Sequence, residues 1–157
     1  MIELVPMDEP EFAAFLEHAI PSYAAEKVLA GSWTLEESVE RSAEAYLTLL
    51  PNGLATAHHF LFNIREPVSG ENVGVVWLAD DRENSPRGGF IYELSIAESH
   101  RRTGLAQAAM KAIEEKARGM GIDTLRLHVF GQNRPARLLY EKLGYETTDI
   151  NMAKRLL

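Results

Sequence analysis

The stretch FIYELSIAESHRRTGLAQAAMKAIEEKARGMGIDTLRLHVF, residues 90–130, decides the fold. Its first seven residues, Phe90 to Ile96, make an apolar run of strand length. The periodicity then changes. Leu105, Ala108, Ala109, Ala112, Ile113 and Ala117 share one face of a helix that stops at Gly119 and Gly121. Leu125 to Phe130 reads as a second strand immediately afterwards. Two strands joined through one helix at this spacing form a βαβ unit, so they run near-parallel with a right-handed crossover.

Upstream, His59 to Ile64 and Val73 to Ala79 are strand-like and joined through Pro67-Val68-Ser69-Gly70, a hairpin loop. The polar, turn-prone stretch Asp80 to Gly89 leads into the Phe90 strand, so three consecutive strands form a meander. The first third is helical. Ile2 to Val5 reads as a short edge strand, and Phe12, Phe15, Leu16 and Ala19 fall at helical spacing within Glu9 to Ala30, where Pro21 is expected to split two short helices. Thr34 and Glu37 form a capping box ahead of a helix whose apolar face is Leu35, Val39, Ala43, Tyr46 and Leu50. Downstream, Pro135 to Leu143 reads as a short helix stopped by Gly144, and Tyr145 to Leu157 as a last strand pair.

Composition limits the function. At 157 residues the expectation is one domain, 1–157, able to bury a core without disulfide or metal staples. Hydrophobic residues at 46% contain no run near the roughly 20 needed to span a bilayer, and the N-terminus lacks the pattern of a signal peptide. A cytoplasmic location without a membrane partner is the default. Sixteen Lys and Arg against 23 Asp and Glu give a net charge of -7, which opposes nucleic-acid binding. The absence of cysteine removes thiol nucleophiles and thiolate metal sites. No histidine lies at a metal-ligand spacing, and no Gly-x-Ser-x-Gly elbow is present, so a metal-free site is expected.

The informative turn is Ser99-His100-Arg101-Arg102-Thr103-Gly104-Leu105-Ala106, between the Phe90 strand and the next helix. Backbone N–H groups at a helix start lack intrahelical acceptors and carry partial positive charge. Gly104 and Ala106 leave room for phosphate oxygens, and Arg101 and Arg102 add charge. Taken alone, the turn is either a phosphate site or a solvated loop with Thr103 as an ordinary N-cap. It matches neither the P-loop nor the dinucleotide fingerprint.

Arg101-x-x-Gly104-x-Ala106, after a strand ending in Leu94-Ser95-Ile96, resembles the acyl-CoA signature of the GNAT superfamily of N-acyltransferases. Asn133-x-x-Ala136-x-x-Leu139-Tyr140-x-x-x-Gly144-Tyr145 is similar to the superfamily's later motif. The resemblance covers roughly residues 73–157. It implies an α/β (α+β) fold whose central sheet is mixed and mostly antiparallel, with one near-parallel, splayed strand pair flanked by helices. It also implies acetyl-CoA as acyl donor, with the backbone of Leu94, Ser95 and Ile96 along the pantetheine arm. The N–H groups of Arg102, Thr103, Gly104, Leu105 and Ala106 would hold the pyrophosphate beside Arg101, with Asn133 next to the cofactor. Ala106 stands where glycine is common, and Arg102 where glycine often follows the arginine.

The resemblance makes Tyr140 the general acid at the CoA sulfur; the competing reading is a core tyrosine. Glu93 interrupts an apolar strand, where a carboxylate is costly unless paired or used, so it is either the base or a structural carboxylate. Two functions stay open: acetyl transfer to a primary amine of a small molecule or peptide in a ternary complex, or a non-catalytic acyl-CoA-binding module. Tyr23, Glu26, Trp33 and Glu37 are candidates for a cationic pocket or simply an amphipathic surface. A strand at Ile150 to Leu157 could pair across a homodimer.

Overall fold

The computed structural model describes residues 1–85 and 88–157. Five strands, β1 (Glu3–Pro6), β2 (His59–Arg65), β3 (Asn72–Asp80), β4 (Gly88–Ile96) and β5 (Thr124–Leu127), lie in one sheet in that order. The first three pairings are antiparallel and β4–β5 is parallel. The sheet is therefore mixed and mostly antiparallel, as expected. Among the described residues the α-helices are α1 (Glu9–Leu29), α2 (Leu35–Leu49), α3 (Leu105–Gly119) and α4 (Arg134–Lys142). In the turn-prone stretch Asp80 to Gly89, residues 86 and 87 lie outside the described residues.

Each face of the sheet buries a different core. Ile64, Val76, Leu78 and Ile91 pack with Met110 and Ile113 of α3 in an aliphatic layer. Phe12, Phe15, Tyr46 and Trp77 build a largely aromatic layer beneath α1 and α2. Among the described residues, no helix is long and apolar enough to cross a membrane.

Four expectations are corrected. First, α1 runs unbroken through Pro21. Proline removes the intrahelical donor to the Glu17 carbonyl, but Pro21 and Glu17 are both exposed, so water satisfies it; Ser42 of α2 separately donates through Oγ to the Ile20 carbonyl at 2.7 Å. Second, α2 does not bury its apolar stripe: Leu35 is 78% and Val39 55% exposed, whereas Ser38 and Ser42 are buried. The small serines admit α1 closely, and both hydroxyls are satisfied, Ser38 Oγ by the Leu35 carbonyl.

Third, the Leu125 to Phe130 strand ends at Leu127, because its ladder with β4 stops at the Ile91–Leu127 pair. Fourth, residues 146–157 form no strand and are all exposed, with Ile150, Met152, Leu156 and Leu157 uncovered by the chain. A strand needs a partner ladder and a surface against which to bury one face, and this tail meets neither within its own chain.

Candidate active site

The register of β4 against β3 determines what enters the site. Val76 opposes Leu94 and Leu78 opposes Ile91, on the α3 side of the sheet. Between these pairs Trp77 opposes Glu93, so Tyr92 is one residue too many: β4 carries a bulge. The Tyr92 ring stacks on Trp77 with centroids 4.7 Å apart. Two consecutive side chains, Tyr92 and Glu93, thus face the α1–α2 side. The bulge also ends the parallel ladder. Beyond Ile91, β4 parts from the chain at residues 128–130 and its backbone edge along Glu93 to Ile96 opens.

A cleft of about 270 Å³ occupies this gap. Tyr23, Glu26, Tyr46, Trp77, Tyr92 and Glu93 line one side, and Leu94, Asn133, Ala136 and Tyr140 the other. The rings of Tyr23, Tyr46 and Trp77 succeed one another at 6.0 and 5.9 Å. Trp77 is held by its indole N–H, which donates to His59 Nδ1 at 2.9 Å. Across the mouth, Gln132 Nε2 donates to the Glu26 carbonyl at 3.3 Å, tying the α4 approach to α1.

Glu93 is pushed up to about 7, first by burial and then by the like charge of Glu26. No hydrogen bond or cation offsets that burial among the described residues. Glu26 is itself raised by desolvation although it sits at the open end. Tyr140 is pushed up to about 12 by burial and by Glu93, so its hydroxyl keeps its proton throughout the neutral range. The Tyr46 hydroxyl is raised by burial and then by Glu93, Tyr23 and Glu26. His128, also on the lining, is lowered by burial and Lys27 and stays neutral at pH 7.

At the far end lies the Arg101 turn. Arg101 donates through Nε to the Ile96 carbonyl at 3.0 Å, fastening the turn to β4. Thr103 does not cap α3: its hydroxyl donates back to the His100 carbonyl at 2.6 Å. The N-cap is Gly104, at φ 81°, with no side chain satisfying the first-turn N–H groups. Arg102 also adopts a left-handed conformation, at φ 63°. Such a run of unsatisfied donors at a helix start suits an anion, and a Cβ at Gly104 would meet open space rather than protein. The residues present therefore fit a diphosphate, with the open β4 edge leading from the turn to Glu93.

Asn133 has a structural task as well, because its side chain accepts from the Ala136 N–H at 3.3 Å and caps α4. Of the four cationic-pocket candidates, Tyr23 and Glu26 reach the cleft. Trp33 backs Tyr23 edge-on at 5.5 Å. Glu37 caps α2 and pairs with Arg41 at 3.1 Å. Sequence reasoning missed Tyr46, Trp77 and Tyr92. Adjacent Tyr92 and Glu93 in an otherwise apolar strand were the available sign of a bulge.

The sequence matches the family model described as acetyltransferase (GNAT) family over residues 22–145. It is 39% identical to YdgE of Bacillus subtilis (strain 168), an uncharacterized N-acetyltransferase, over 98% of this chain and 97% of that one. The crystal structure of YycN from Bacillus subtilis, at 39% identity, superimposes with a TM-score of 0.96, covering 100% of this chain and 99% of that one. The PaiA N-acetyltransferase of Thermoplasma acidophilum, solved in complex with coenzyme A, shares the fold at 17% identity, with a TM-score of 0.71 and coverage of 96% and 93%.

Proposed function

The chain belongs to the GNAT family of acetyltransferases, and from that membership we propose that it is a cytoplasmic enzyme that moves the acetyl group of acetyl-CoA directly to a primary amine of a small molecule or peptide in a ternary complex. One observation carries the reading: Glu93 and Tyr140 line the same cleft where β4 and β5 part. Bound acetyl-CoA supplies an acetyl thioester there. The coenzyme A held by PaiA is in keeping with this donor.

Arg102, Thr103, Gly104, Leu105 and Ala106 hold the pyrophosphate through backbone N–H groups, with Arg101 keeping the turn against β4. Leu94, Ser95 and Ile96 hydrogen-bond the pantetheine arm along the open strand edge, and Asn133 lines its passage. Glu93 takes a proton from the incoming ammonium, directly or through water, freeing the lone pair that forms the new C–N bond. Tyr140 delivers its proton to the sulfur as the C–S bond breaks, and the second proton, which the nitrogen sheds on becoming an amide, restores the Tyr140 hydroxyl through water.

Release of free CoA thiol on incubation with acetyl-CoA and an amine panel tests the proposal. Thiol release above background supports transfer. Stabilisation by acetyl-CoA with no release from any amine supports the alternative, a non-catalytic acyl-CoA-binding module.

The reading includes a homodimer in which residues 150–157 of one copy pair with another. The exposed Ile150, Met152, Leu156 and Leu157 and the free edge of β5 support it. Light scattering behind gel filtration tests it, and a monomer at all concentrations would remove it.

A further inference from the structure

The α1–α2 side of the cleft has a lopsided chemistry. Its lining carries two carboxylates, Glu26 and Glu93, and a run of aromatic faces, but, among the described residues, no lysine or arginine. Lys27 rests against the Tyr23 and Trp33 rings at 5.8 and 5.2 Å and is not part of the lining. His128, which is on it, is held neutral at pH 7 by burial and Lys27. An acceptor bearing a carboxylate or phosphate would therefore lose its hydration and meet like charge instead of a partner.

A cation meets the opposite situation. Glu93 is raised by burial and then by Glu26, Glu26 is raised by its own desolvation, and among the described residues neither has a cationic partner in the protein. A positive charge between or beside them would relieve both. The path from one to the other passes Tyr23, Tyr46 and Trp77, whose successive rings offer faces to methylene groups and to ammonium. The cleft of about 270 Å³ also has to admit the acyl end of the donor on its Tyr140 side. What remains suits a short, narrow chain.

We propose that the acceptor is a small aliphatic diamine or related dication without an acidic group, its reacting amine at Glu93 and its second ammonium at Glu26 over the Tyr23–Tyr46 rings. This rests on the acetyl-transfer reading for the identity of the reacting end. The second-cation subsite at Glu26 stands on the lining itself.

Three probes of equal length separate the possibilities: 1,5-diaminopentane, 1-aminopentane and 5-aminopentanoate. Calorimetric titration of each into the CoA-saturated protein at pH 8.5, where Glu93 is ionised, should rank the diamine about tenfold or more tighter than the monoamine, with the amino acid weakest. Glu26→Gln should bring the diamine to within about threefold of the monoamine. Glu26 is exposed, so this variant is expected to fold, and circular dichroism checks that it has. Binding of 5-aminopentanoate as tight as the diamine, a diamine preference that survives Glu26→Gln, or no diamine binding at millimolar concentration overturns the proposal. Thiol release in the same samples reports separately on transfer. Diamine binding without release defeats the enzyme reading and leaves the subsite, whereas release with other amines and no diamine binding does the reverse.

Discussion

The two faces of the sheet carry the two halves of the proposed site in different materials. On the α3 side, the proposed donor-binding elements are backbone: a glycine-capped helix start, a left-handed Arg102 and an open strand edge. On the α1–α2 side, the candidate acceptor elements are side chains contributed by α1, α2, β3 and β4. One bulge joins them, because the extra Tyr92 both opens the strand edge and sends Glu93 to the aromatic side. A site made of backbone must be encoded in consecutive residues that set φ and ψ. A site made of side chains needs only the fold to gather them.

The sharpest way to break this division is at Tyr140, where the two sides meet. Tyr140→Phe should lower turnover by about 10²-fold or more when chemistry limits the rate, with acetyl-CoA affinity little altered. Wild-type turnover in that variant would return Tyr140 to the core. Glu93→Gln comes next and has two signatures. A base pushed up to about 7 must lose its proton to act, so wild-type activity should rise with pH through about 7, and the variant should lose that limb along with about 10²-fold of its rate. Stability should move oppositely. Because the folded value lies above the usual 4.5, ionisation of Glu93 costs stability increasingly from about pH 4.5 to 7 and fully above. Glu93→Gln should therefore melt higher than wild type at pH 8, by about 1–3 kcal/mol at most, and close to wild type at pH 4. A variant with an intact ascending limb and a lower melting point at pH 8 would make Glu93 a structural carboxylate.

The same division explains what could be read from the sequence. The βαβ unit, the meander and the Arg101 turn are local, set by apolar period and by Gly104, and they appear where the sequence indicates. The aromatic wall is not local. Tyr92 and Glu93 stand beside Trp77 on one face because the bulge puts both opposite it, and register is decided across strands. The unbroken α1 escaped reading because the carbonyl that Pro21 leaves without a donor, that of Glu17, lies on the exposed side of the helix where water satisfies it. The Leu35 and Val39 stripe misled because apolar period says which residues prefer burial, not whether a surface is there to bury them. The tail beyond Gly144 failed for the same reason.

Gly104→Ala sharpens the donor side with a smaller effect. The new methyl would touch nothing, so the change acts through φ alone, at about 1 kcal/mol for an alanine held at φ 81°. If the first-turn N–H groups hold pyrophosphate, relaxing that angle turns them, and acetyl-CoA affinity by calorimetry should fall about tenfold. A stability loss with unchanged affinity would mean that the turn is only a loop.

The smallest effect expected is on the α1–α2 side, and it inverts the usual expectation for apolar and polar residues. Ser42→Ala removes the hydroxyl of a fully buried serine that donates to the Ile20 carbonyl, in a partly buried contact between the two helices. Denaturant unfolding should record a loss of about 0.5–1.5 kcal/mol. Val39→Ala removes a larger apolar group from the same helix, but one that is 55% exposed, and should cost less than about 0.5 kcal/mol. The order would reverse if α2 were oriented by its apolar stripe. It should hold if the serines set the orientation, because helix–helix approach there depends on small residues whose hydroxyls find backbone carbonyls, and that contact positions Tyr46 over Trp77 at the wall of the cleft.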